Sequence, residues 1–193
     1  MLGVATGDRP VEYSAYNANF EERGEVFQET LALMRQATHR PKSWDNQQAA
    51  YAGRVDLLPK SYAGDLPFLV TGHSRQSLEW IAEHADGWLM YPRAIHIQQM
   101  VLEEWQRVYT EAGYDWKPFS QSLYIDLTDD PDALPKSIHL GYKLGRNRLI
   151  EFLKRLEAIG VNHVAFNVKF SQRPVDEVVE ELAEYVVPEF PHI

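Results

Sequence analysis

The stretch Asp65–Arg93, DLPFLVTGHSRQSLEWIAEHADGWLMYPR, constrains this chain more than any other. Pro67 opens the apolar run Phe68, Leu69 and Val70, which reads as a buried strand. Thr71, Gly72, His73 and Ser74 form a small polar turn. A helix begins there, with Leu78, Ile81 and Ala85 on one side. Asp86-Gly87 stops it, and Trp88, Leu89 and Met90 start a second apolar run. A strand, loop, helix, strand unit gives parallel strands joined by a right-handed crossover.

Chemistry in such a unit belongs where the first strand hands over to the helix. The first N–H groups of a helix have no internal acceptor, and the helix dipole is positive there. Gly72 lets a ligand approach the backbone, and Ser74 and Ser77 add hydroxyls. Such a turn can hold a phosphate. The spacing by itself favours Ser74 as a plain helix cap.

At 193 residues the chain is long enough for one packed domain, and the whole of 1–193 reads as one. Its net charge of −9 argues against a general nucleic-acid or anionic-membrane binder, because phosphates attract Lys and Arg. There are no cysteines, which excludes disulfides, thiolate metal sites and cysteine nucleophiles. The seven histidines are scattered, without the paired spacing of a zinc hydrolase. The sequence shows no charged-then-apolar leader and no apolar run that would span a bilayer, so a cytoplasmic protein is expected.

The other segments repeat the strand–helix theme. Leu2–Thr6 is a short apolar strand, followed by the polar GDRPVEYSAYNAN. There, Arg9 and Tyr13 can reach an anion, or Arg9 can pair with Asp8 or Glu12 on the surface. Phe20–Ala37 is a helix, with Phe27, Leu31 and Met34 at helical spacing. Thr38–Gly64 is long and irregular. Ala94–Ala112 is an amphipathic helix, and the alternating Phe119–Leu127 is a strand. The acidic Thr128–Pro135 is a turn; Asp126, Asp129, Asp130 and Asp132 lack calcium-loop spacing and read as solvated. His139–Gly145 is a glycine-punctuated loop before a helix over Arg146–Ile159. Val161–Phe170 is the last strand, and Val178, Val179, Leu182 and Val186 face inward from the final helix. Five strands alternating with five helices predict a parallel sheet with covering helices.

Four segments in this order resemble the luciferase-like, flavin-dependent monooxygenases. GVATGDRPVEYSAYNANFEERGEVFQE is similar to the segment after the family's fourth barrel strand. PFLVTGHSRQSLEWIAEHADGWLMYPR is similar to the fifth strand, its phosphate loop and the sixth strand. FSQSLYIDLTDDPDA resembles the seventh strand and its loop, and GVNHVAFNVKFSQRPVDEVVEELAEYVVPEF the eighth and the closing helix. The match resembles one subgroup, the luciferase-type oxidoreductases.

The resemblance implies a TIM barrel that binds FMN at the carboxyl ends of its strands. Its phosphate loop corresponds to Gly72, His73, Ser74 and Ser77, with Arg9 and Tyr13 contributing from after the fourth strand. It implies oxygenation of a small organic substrate, with a flavin reductase as a possible partner. F420 is the alternative cofactor, and a non-catalytic flavin-binding or self-associating remnant the alternative function. His139, His163 and Asn167 are candidates to face the flavin, although His163 also reads as a packed strand residue. The catalytic side chains of the family cannot be placed on this sequence. The family's first three strand–helix units have no counterpart here, and Met1 falls inside a strand-like motif, as in a shortened reading frame or a fragment. The expectation is therefore a partial (β/α)8-type barrel of about five parallel strands. Five strands cannot close an eight-stranded barrel. Open edges invite pairing with a second chain, so a homo-oligomer is expected.

Overall fold

A computed structural model describes residues 1–38, 57–62 and 64–190. The chain divides into two compact units, Met1–Gly87 and Trp88–Ile193.

In the first unit, strand β1 (Leu2–Val4) is followed by a short helix α1 (Pro10–Ala15) and a long one, α2 (Arg23–Thr38). Strand β2 (Phe68–Thr71) then leads to helix α3 (Leu78–His84). β1 and β2 run parallel, with Leu2 opposite Phe68 and Val4 opposite Val70. Phe68, Leu69 and Val70 are buried, as a continuous apolar run demands of a strand covered on both faces. α2 turns Phe27 and Leu31 inward, and Phe27 packs against Trp80 of α3. Asp86 does more than end α3. Its carboxylate accepts the Phe68 N–H and an Arg35 N–H, each at 2.8 Å, and its own N–H donates to the Phe68 carbonyl. The entrance to β2 is thus clamped to the exit of α3.

β3 (Gly87–Met90) opens the second unit, followed by α4 (Ile95–Glu111), β4 (Phe119–Leu127), β5 (Lys136–Ile138) and β6 (Gly141–Leu144). Then come α5 (Arg146–Ala158), β7 (His163–Asn167) and α6 (Val175–Glu181). β4 is the hub: β3, β6 and β7 all pair with it in parallel. Trp105 of α4 packs on Trp88 and meets Tyr109 edge-on, while Trp88 meets Phe119 edge-on, which fixes α4 against β3 and β4. The Trp105 indole N–H, buried with the rest of the ring, donates to the Lys117 carbonyl at 3.2 Å.

Strand–helix alternation is therefore the rule, and the expected α/β architecture with a mainly parallel sheet is present. Among the described residues the strands do not close into a barrel. Among the described residues seven strands replace the expected five. The added elements are β5 and β6, an antiparallel hairpin between β4 and α5. His139–Gly145 was expected to be a loop, yet Gly141–Leu144 is a strand. Four residues with a glycine at the start carry no readable alternation. The glycine is there because a Cβ at Gly141 would lie 1.8 Å from the Tyr124 carbonyl oxygen. Two smaller differences follow from burial. Val179 is 53% exposed rather than inward, because Val178, Leu182 and Val186 share the buried face as α6 passes into a π-helical turn over Leu182–Val186. Asp126 is buried rather than solvated, with one oxygen 2.9 Å from Lys143 Nζ and the other accepting the Gln172 N–H. The Thr38–Gly64 segment, expected to be irregular, lies mostly outside the described residues.

Candidate functional site

All six residues expected to hold a cofactor lie in the first unit, on the segments that follow β1 and β2. Because these strands are parallel neighbours, both loops leave at the same end of the ladder. The Thr6 N–H, just past β1, points to the Ser74 hydroxyl, just past β2, at 3.4 Å. Ser74 in turn donates to the Thr71 carbonyl at 2.9 Å. Ser74 is 8% exposed, so its hydroxyl is a strut between the loops rather than a group that meets solvent.

The second loop takes an uncommon path. Gly72, Ser74 and Arg75 all have positive φ, at 61°, 47° and 62°. For the two non-glycine residues this conformation costs roughly 1 kcal/mol or more each, and it persists only where surrounding bonds enforce it. Gln76 supplies the enforcement. Its backbone N–H donates to the His73 carbonyl at 2.8 Å. Its buried side-chain amide donates to the carbonyls of Gly24 and Ser74, at 2.8 and 3.1 Å, and accepts from Gln28 at 2.6 Å. α2 thus holds the loop from behind, and the lack of a side chain at Gly24 permits the approach: a Cβ there would sit 3.1 Å from that of Arg75.

With Ser74 and Gln76 turned inward, His73, Arg75 and Ser77 are the exposed side chains of the loop. Open space flanks Gly72 where a Cβ would stand. Ser77, not Ser74, is the helix cap: its Oγ accepts the Trp80 N–H at 3.1 Å and keeps its own hydrogen. Helix α3 therefore begins at Leu78, later than the sequence indicated. Arg75 forms no ion pair among the described residues.

From α1, the Tyr13 hydroxyl donates to the Thr6 carbonyl, and its ring meets Phe20 edge-on. Tyr13 thereby steadies the residue that bonds Ser74. Arg9 takes the surface alternative, pairing with Glu12 at 3.3 Å while 73% exposed. In the second unit, His163 is exposed at the start of β7 and Asn167 accepts the Lys169 N–H at 2.9 Å. Thr6, Arg75 and Gln76 were not expected. Gln76 sits in an all-polar run, and its burial depends on Gly24, 52 residues earlier, which no local pattern reveals.

The sequence profile of the luciferase-like monooxygenases matches residues 1–169. The chain belongs to that family. An uncharacterised protein of Mycobacterium tuberculosis, Rv0953c, and one of Mycobacterium bovis, Mb0978c, are each 28% identical over 147 residues. Each alignment takes in 72% of this chain and 49% of the relative, so the chain spans about half the length of the curated relatives it matches. Among solved structures, an F420-dependent secondary alcohol dehydrogenase superposes with a TM-score of 0.74 at 14% identity, over 99% of this chain and 69% of that one. Monooxygenase RslO1 from Streptomyces bottropensis gives 0.73 at 14% identity, over 98% and 68%. An F420-dependent tetrahydromethanopterin reductase from Methanopyrus kandleri gives 0.72 at 13%, over 98% and 74%. At these identities the likeness is one of fold, that of the TIM-barrel luciferase-like proteins. Among the described residues no helix is long and apolar enough to cross a membrane.

Proposed function

We propose that this chain forms the phosphate-holding part of a flavin-dependent oxidoreductase, with FMN as the cofactor and a small organic molecule as substrate. The observation that carries this reading is the Thr6–Ser74 bond, which ties two loops at the carboxyl ends of neighbouring parallel strands into one platform. Ligands of open α/β sheets and barrels gather at that end.

The donor set suits the terminal phosphate of a nucleotide. Arg75 brings a guanidinium whose paired N–H groups match phosphate oxygens. Ser77 brings a hydroxyl hydrogen, and Gly72 leaves open space where a Cβ would stand. His73 lends its backbone at the same turn. Ser74, Gln76 and Tyr13 position these groups without touching the ligand. Arg9 joins by exchanging Glu12 for phosphate, a small loss because exposed ion pairs contribute little. A flavin, when bound, supplies the redox chemistry, while the protein orients it and excludes water.

F420 is the second reading, supported by two F420-dependent proteins among the structural neighbours. Self-association and supply of reduced flavin by a separate reductase complete the proposal. Among the described residues β7 pairs only with β4, and such an unpaired edge favours a second copy. Incubation with FMN followed by desalting should leave a protein with flavin absorbance. A colourless protein that also fails to quench FMN fluorescence would count against the cofactor. Paired titrations decide between FMN and F420. Binding without oxygen consumption, when reduced flavin is supplied, would identify a non-catalytic flavin binder.

A further inference from the structure

Three aromatic rings from three separate segments meet in the second unit. Tyr124 lies on β4, between the last residue of β7 (Asn167) and the first of β6 (Gly141) in register. His139, in the β5–β6 turn, meets Tyr124 edge-on at a centroid distance of 5.8 Å. Phe170, just beyond β7, lies 5.2 Å from Tyr124 and 6.4 Å from His139. The rings are not core: Phe170 is 36% exposed, His139 is exposed and Tyr124 half-buried. The Tyr124 hydroxyl has no hydrogen-bond partner among the described residues. Lys169 places its Nζ 5.8 Å from the Phe170 ring and has no ion pair among those residues. Beneath the rings the sheet is rigidly built. Gly141 lies directly on the Tyr124 backbone, and the buried Asp126, two residues on, holds Lys143 on β6 and the Gln172 N–H beyond β7.

We propose that Tyr124, His139, Phe170 and Lys169 form a binding site for a small aromatic carboxylate. The ligand ring packs on the exposed faces of Phe170 and His139, and its carboxylate takes the Lys169 ammonium and the Tyr124 hydroxyl. Aromatic faces prefer a planar ring to an aliphatic one of equal size, and a single cation with a hydroxyl selects for an anion on a chain that is otherwise strongly acidic. That this ligand is the molecule oxidised rests on the oxidoreductase reading above; that it binds does not.

The test is a titration of the flavin-free protein followed by NMR. Benzoate should bind with a dissociation constant of about 1 mM, the range open to so small a ligand. It should move the amide signals of residues 124, 139 and 168–170. Cyclohexanecarboxylate and benzamide should each bind at least about fivefold more weakly. Phe170→Leu should weaken benzoate about fivefold, and Lys169→Gln about threefold. Tyr124→Phe, which keeps the ring and the fold, should weaken benzoate but not benzamide. Equal affinity for benzoate and cyclohexanecarboxylate, shifts confined to other residues, or a Phe170→Leu protein that binds normally would overturn the proposal. FMN titrations of the same variants should be unchanged, so a failure here leaves the cofactor reading standing, and the converse.

Discussion

Gln76→Leu tests whether the loop after β2 is held from behind. The replacement is close in volume and removes only polar atoms. It deletes donations to the Gly24 and Ser74 carbonyls and the acceptor for Gln28. Gln28 is exposed and regains water, so its bond contributes little. The two carbonyl bonds are worth about 1 kcal/mol each, giving a loss of about 2 kcal/mol. For a chain of this size that lowers the melting temperature by about 4–8 °C. The second effect is on the loop itself. Ser74 and Arg75 sit at positive φ only while the loop is enforced, and their relaxation should weaken FMN about tenfold. Circular dichroism melts and flavin fluorescence quenching measure the two effects on one preparation. A variant with unchanged melting temperature and unchanged FMN affinity would refute the reasoning, because the left-handed turn would then stand without Gln76.

Other consequences are checked by similar means. Glu181 is 10% exposed and bonds both Arg146, at 3.0 Å, and Arg173. Burial pushes its carboxyl up, but the hydrogen bonds from the two guanidiniums outweigh this and hold it below the usual carboxylate range. A depressed folded-state value means stability present above the unfolded value and lost as pH falls through the folded one. Urea midpoints should therefore drop on acidification below about pH 4.5, and Glu181→Gln should flatten that dependence while costing about 2–3 kcal/mol at neutral pH. Gly141→Ala should cost at least about 3 kcal/mol, since its Cβ would meet backbone that cannot move aside; a normal melting curve would contradict it. Gln98 is fully buried and neither atom of its amide has a partner among the described residues. Gln98→Leu should be neutral or stabilise by up to about 2 kcal/mol, read from the same urea midpoints.

Much of the fold was legible because β2 and β4 announce themselves, one as a continuous apolar run and the other by alternation. Helices α2, α4 and α5 carry apolar stripes at helical spacing. The β5–β6 hairpin was not legible: Lys136–Ile138 and Gly141–Leu144 are too short for periodicity, and their pairing depends on contact with Tyr124. The wiring of the two loops was not legible. Sequence placed Ser74 and Ser77 at one turn but could not say which caps the helix. That choice rests on Thr6, 68 residues away, which draws Ser74 inward and leaves the cap to Ser77. Arg75 was overlooked because a lone arginine in a polar turn looks like ordinary surface; its significance comes from the buried residues on either side of it.

The most direct measurement is FMN fluorescence titration of the natural protein beside an Arg75→Ala/Ser77→Ala variant. Losing the cap should lower stability by about 1 kcal/mol, so the variant stays folded. The account predicts saturable quenching at one FMN per chain, weakened at least tenfold in the variant, about 1.4 kcal/mol or more. Equal affinity in the two proteins, or no quenching by the natural protein at about 100 μM, would contradict it.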